Sequence, residues 1–222
     1  MVPKSGISAL SWTYNYMDCV SADSKPEKHP VIILMSIFVC FCAVTPGIFG
    51  SRLLELWHIF VLQSGDEEAR QRSAEVLGNI GSRIAVPMIK DIIINEQHEL
   101  TAIGGAKRGE YPFFVYCMAL KSIGEASDKA ILEMLADPDP TVRWYGAMAL
   151  SRPVVERNID TMVRALKDTE GAGIPTLNRL VELGDVAVPK LKLALDDAEV
   201  RYWAKNVIER ISLSRQRASA PD

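Results

Sequence analysis

The chain has 222 residues, of which 48% are hydrophobic and 24% charged. That is too apolar for a disordered chain and long enough for one domain with its own core, or for a smaller domain plus an anchor. A net charge of −3 argues against a nucleic-acid partner held by bulk charge, and three His and four Cys are few for a multi-metal enzyme.

Residues 1–29 form a mixed extramembrane segment with Trp12, Tyr14 and Tyr16, side chains suited to contact a neighbouring protein or a membrane surface. Pro30 to Ser51 then carries no charged residue, and Val31 to Val44 is almost wholly aliphatic, aromatic or Cys. About 20 apolar residues span the hydrocarbon of a bilayer as a helix, so 30–50 is expected to be a single-pass transmembrane anchor with membrane lipid as its partner. Two other readings of the run stay open, a cleaved signal peptide and a buried core helix. Lys4, Lys25 and Lys28 on one side balance Arg52, Arg70 and Arg72 on the other, so charge does not choose an orientation, although the cytoplasmic side is slightly favoured for the repeat domain. Cys19, Cys40, Cys42 and Cys117 match no zinc or redox spacing; as four unpaired thiols they fit a reducing environment.

Residues 51–65 read as a second, very apolar helix with Ser51 as a candidate N-cap. Trp57 and His58 suit a membrane interface; the same helix equally suits the covering of one end of the next domain.

From 66 to 213 the sequence repeats. Asp66 to Arg70, Asp139 to Arg143 and Asp197 to Arg201 share the pattern D-x-x-[A/V]-R. Each Asp is placed to cap a helix, and Pro140 strengthens the second start. Apolar residues come next at helical spacing: Ala69, Val76, Leu77 and Ile80; Val142, Ala149 and Leu150; Val200, Val207, Ile208 and Ile211. Gly81, Gly124 and Gly184 stand where a helix should end on a left-handed residue. Second helices come after them, with Pro87 and Pro189 near their starts and apolar faces Met88, Ile89, Ile92 and Ile93; Ile131, Leu132 and Leu135; Met162, Val163 and Leu166; Leu191 and Leu195. Leu77, Leu120, Leu150, Leu180 and Ile208 share one register, at spacings of 43, 30, 30 and 28 residues. A period near 30 with two helices per unit is the signature of a helical-repeat array. The third unit has Arg152-Pro153 where the others have an Ile/Leu-Gly turn, and the fifth stops after one helix, as a terminal cap would.

The D-x-x-[A/V]-R openings, Ala74 to Gly81, Ala85-Val86-Pro87 and Gly184 to Pro189 together resemble the short HEAT-like repeats found in phycobilisome lyases and many bacterial proteins. The resemblance covers about 66–213 and implies an all-α fold, a right-handed α-solenoid of about four and a half helix pairs. It also implies that Asp66, Asp139 and Asp197 and Arg70, Arg143 and Arg201 pair between neighbouring units as a ladder that fixes register.

The surplus in the first spacing falls at about 95–110, where Gly104, Gly105 and Gly109 with Lys107 and Arg108 read as a flexible, locally basic loop, either a plain insertion or a partner-binding one. The dipeptides Trp144-Tyr145 and Tyr202-Trp203 each come directly after a repeated Arg. Adjacent residues cannot both face one core, so these four are candidate interface anchors, or cover the grooves between units. Residues 214–222 are a polar tail. His29, His58 and His98 are scattered, no nucleophile elbow or Cys/His pair occurs, and no cofactor or metal is called for. The expected role is a non-catalytic, membrane-anchored scaffold or accessory subunit holding other protein subunits of a membrane complex. A bilin-lyase-like cofactor-attachment factor is the alternative, and a nucleic-acid module, after the alkylpurine glycosylases that some HEAT-like folds resemble, is disfavoured by charge.

Overall fold

The computed structural model describes residues 48–104 and 113–219. Every regular element among them is helical. The chain divides into two compact units, residues 1–57 and 58–222. Of the first, only the opening of helix α1 (Ile48–Ser64) is described, where Arg52 meets Glu55 at 3.9 Å. Helix α1 begins three residues before Ser51, so Ser51 lies inside the helix and does not cap it. Among the described residues no helix is long and apolar enough to cross a membrane; the anchor expected at 30–50 lies outside them except for its last three residues.

The second unit continues with α2 (Glu67–Asn79), α3 (Ala85–Ala102), α4 (Phe114–Ile123), α5 (Asp128–Leu135), α6 (Pro140–Met148), α7 (Arg152–Arg157), α8 (Ile159–Ala165), α9 (Gly173–Leu183), α10 (Val188–Leu193) and α11 (Arg201–Ser219). Asp66 accepts the Ala69 N–H at 2.8 Å, Asp139 the Thr141 N–H at 2.7 Å and Asp197 the Glu199 N–H at 2.9 Å, so each repeated aspartate satisfies a donor that its helix start would otherwise orphan.

Helices α2, α4, α6, α9 and α11 pack each against the next, and α3 packs on α5 as α8 does on α10. The core lies between these two sets. Leu77, Leu120, Leu150 and Leu180 face it from one side, Ile89, Ile131, Met162 and Leu191 from the other, and all eight are fully buried. Each such side chain contributes about 2 kcal/mol by leaving water. The fifth register residue, Ile208, is only partly buried. Ile80, expected on an apolar face, is exposed. Helices α2 and α4 approach closely, and a Cβ on Gly78 would lie 2.8 Å from Ala119 Cα.

The turns differ from the simplest expectation. Gly124 (φ 76°, ψ −134°) and Gly184 (φ 70°, ψ −137°) have positive φ, but their ψ is far from the left-handed helical value. A Cβ at either position would touch nothing, so the demand for glycine is conformational. In the third unit the glycine turn is replaced by the short helix α7, whose Pro153 lies in the first turn and whose Val154 and Val155 are buried. The surplus in the first spacing is not all loop. Helix α3 runs on through residues 95–102 because Gln97 is buried and Leu100 partly so, and it gives way at Gly104 with φ 105°. Gly105, Lys107, Arg108 and Gly109 lie outside the described residues.

Candidate interaction surface

The repeated arginines are held, but not by the repeated aspartates. Arg143 is doubly bonded to Asp168, Nε to Oδ2 at 2.7 Å and Nη2 to Oδ1 at 3.0 Å, while its Nη1 donates to the carbonyls of Asp137 and Pro138 at 3.0 and 2.8 Å. Asp168 also accepts the N–H groups of Gly171 and Ala172. The Arg143 guanidinium, helped by those N–H groups, holds the Asp168 carboxyl below its usual range against the opposing pull of burial. Arg201 repeats the backward reach: Nε donates to the Leu195 carbonyl at 2.7 Å and Nη2 toward that of Asp196 at 3.5 Å, the same two offsets along the chain as for Arg143. Arg70 takes a third solution, pairing with Glu96 at 2.5 Å and Glu67 at 3.0 Å and donating to the Tyr116 hydroxyl at 3.5 Å. Glu96 belongs to the extension of α3, so the insertion supplies that partner. These contacts tie each arginine to the end of a second helix or the loop beside it.

A different set of ion pairs links the units, and sequence reasoning passed over it. Lys90 meets Glu133 at 2.7 Å, Lys190 meets Asp160 at 2.9 Å and Lys167 meets Glu199 at 2.8 Å; Arg157 pairs with Asp128, and Arg215 with Asp185. The separations along the chain are 43, 30, 32, 29 and 30 residues, close to the repeat spacing itself. The signal was present as opposite charges one period apart.

The four aromatic candidates separate by burial. Tyr145 is a core side chain, its ring edge-on to Phe113 with centroids 5.4 Å apart. Trp144 and Trp203 are partly buried against the core. Tyr202 is 68% exposed. Trp12, Tyr14, Tyr16, Lys107 and Arg108 lie outside the described residues.

Counting back six residues from each recurring Leu or Ile gives Gln71, Phe114, Trp144, Ile174 and Tyr202. Phe114, Ile174 and Tyr202 sit at the starts of α4, α9 and α11 and Trp144 at the middle of the shorter α6, four helices that are neighbours in one packed series. Phe114 is 42% and Ile174 61% exposed, and Trp144 is half-buried. Four adjacent helices therefore carry an apolar column, which ends at α2 with Gln71. One turn further along, Met118 and Met148 continue it on α4 and α6. Isolated exposed apolar residues need no explanation, whereas a row in a single register does.

The remaining reactive groups are quiet. Among the described residues no cluster of His, Cys, Asp and Glu could hold a metal ion. Burial lowers the His58 pKa to about 4, and its Nδ1 lies 3.1 Å from Ser73 Oγ. His98 Nε2 lies 2.9 Å from Asp137. Burial pushes the Cys117 thiol up, away from the reactive thiolate. Burial likewise takes Tyr116 to about 12, although the Arg70 bond pulls the other way. The shallow groove around Arg143 and Arg164 has two of its cations engaged, Arg143 by Asp168 and Lys167 by Glu199.

No family model, no curated protein and no solved structure matches the chain.

Proposed function

We propose that the chain is a membrane-tethered helical-repeat platform, an accessory subunit that holds other polypeptides of a membrane complex and performs no chemistry on them. On this reading the two sets of helices are a right-handed α-solenoid of about four and a half HEAT-like pairs, and the charge-free run at 30–50 is its single-pass tether to lipid. Each pair buries its apolar face only by stacking on the next, the physical basis of such arrays. The observation that carries the reading is the column of Phe114, Trp144, Ile174 and Tyr202, apolar surface presented in register by four neighbouring helices. Aromatic side chains are the preferred anchors of protein interfaces.

Membrane extraction tests both halves. The full chain should stay with membranes through an alkaline carbonate wash. In mild detergent it should elute well above its own mass, with partner chains in fixed ratio. Release by carbonate would remove the tether, and a monodisperse monomer from freshly solubilised membranes would remove the platform.

A further inference from the structure

The platform reading leaves open what kind of polypeptide lies on the column. The charges around it narrow the choice. Arg179, on α9 five residues after Ile174, spends its guanidinium on both oxygens of Glu182, at 3.0 and 2.9 Å. Lys121, seven residues after Phe114, has no ion-pair partner among the described residues; burial first, and then the field of Arg179, make its charge costly as the structure stands. Lys205 and Arg210 on α11 also have no ion-pair partner among the described residues. On the same four helices, among the described residues, a single carboxylate is in the same condition, Glu209, seven residues after Tyr202. The outward side of α4 to α11 is therefore an apolar line beside an excess of uncommitted positive charge.

Helices packed side by side lie about 8–10 Å apart, so the four column residues recur at about that interval. A helix laid across them presents the same face every seven residues, about 10.5 Å. An apolar residue at every seventh position would meet each column residue in turn.

We infer that the α4–α6–α9–α11 face binds an acidic amphipathic helix of a partner protein, its apolar residues seated on Phe114, Trp144, Ile174 and Tyr202 and its carboxylates facing Lys121, Lys205 and Arg210. This assignment rests on the platform reading and specifies its partner. An anionic membrane surface is the rival occupant. Attraction to lipid headgroups grows by roughly 1 kcal/mol per clustered cation and needs a broad basic patch. Three cations with Glu209 among them, beside a line one side chain wide, suit an occupant that places its carboxylates selectively.

The probe is a labelled synthetic helix of about 22 residues with Leu at every seventh position and Glu flanking each Leu. It is titrated into the full chain held in detergent-free phosphatidylcholine nanodiscs and followed by fluorescence anisotropy. The same peptide with Lys for Glu, and vesicles of phosphatidylcholine with about one-third phosphatidylserine, are the comparison arms. The expected result is saturable binding of the Glu peptide that weakens with added salt, at least ~10-fold weaker binding of the Lys peptide, and at least ~10-fold loss in Ile174→Asp and in Tyr202→Asp. Both positions are exposed, so an unchanged circular-dichroism melt verifies the fold of each variant. Equal affinity for the two peptides, or no loss in both variants, overturns the inference. So does vesicle binding that Ile174→Asp abolishes while the Glu peptide does not bind. In cross-linked membranes the two readings fail separately. Partner adducts that survive the Ile174→Asp/Tyr202→Asp double variant overturn the column and leave the platform, whereas no adducts from the unaltered chain overturn both.

Discussion

The two series of helices treat their surfaces differently. Along the second helices, charge is matched to charge across the unit boundaries: Lys90 with Glu133 and Asp160 with Lys190. Along the first helices, the equivalent outward register carries Phe114, Trp144, Ile174 and Tyr202, and the nearby cations Lys121, Lys205 and Arg210 have no ion-pair partner among the described residues. Leu193 shows how local the apolar character of the second series is. It is 69% exposed on α10, but the same register in the first two units carries Asp91 and Glu133. A surface that matches its own charges is complete in water, whereas the proposed binding face lines up apolar groups beside uncommitted charge, the pattern of an interface.

The deepest cut removes what both series share. Leu120→Ala empties a fully buried position at the centre of the core and should cost about 3 kcal/mol in urea unfolding. A cost below about 1 kcal/mol would mean that the two series do not share a core there. Next is the tie between the second helices and the next opening. Asp168→Asn leaves Arg143 without its anion and should cost about 2 kcal/mol at neutral pH. Because the Asp168 carboxyl is depressed in the folded state, its contribution is present above the ordinary carboxylate range and is lost as pH falls through the lowered value. The variant should therefore lose less stability than the parent in that acid range. His58 acts in a separate window. Its folded pKa of about 4 lies below the unfolded value near 6.5, so the unfolded chain takes up the proton first and stability falls as pH drops between the two. His58→Gln should flatten that limb by on the order of 2 kcal/mol.

The smallest effects on stability separate the two faces most sharply. Ile174→Asp should change unfolding by no more than about 0.5 kcal/mol while removing peptide binding. Lys90→Ala should leave peptide binding intact and produce a small stability loss that vanishes in high salt. If the two substitutions behaved alike in the binding assay, the contrast between the faces would be lost.

Much of the fold is legible in the residues. The shared register of Leu77 to Ile208 and the glycines at 81, 124 and 184 mark the helix pairs, because helical periodicity and positive φ leave strong traces in sequence. The D-x-x-[A/V]-R openings tell where helices start, but not where the arginines reach. Arg143 finds Asp168, and Arg201 finds carbonyls, through loops whose course no local pattern specifies. The α3 extension reads as loop because the glycines after it dominate the composition, although Glu96, Gln97, Glu99 and Leu100 are good helix formers. Half of the apolar column is hidden for another reason. Trp144 and Tyr202 stand out as candidate anchors because each is next to a second aromatic, whereas Phe114 and Ile174 carry no mark in the sequence that separates them from core residues. Tyr145, beside the column, goes the opposite way into the interior.

The most direct measurement is hydroxyl-radical footprinting of the full chain in its native membrane and again after purification in detergent, read residue by residue. Oxidation of Phe114, Trp144 and Tyr202 should be severalfold lower in the membrane, where the partner helix covers them, while Leu193 on the second series should be oxidised equally in both. Equal oxidation of the three aromatics in the two states, or protection of Leu193 alone, would contradict the account.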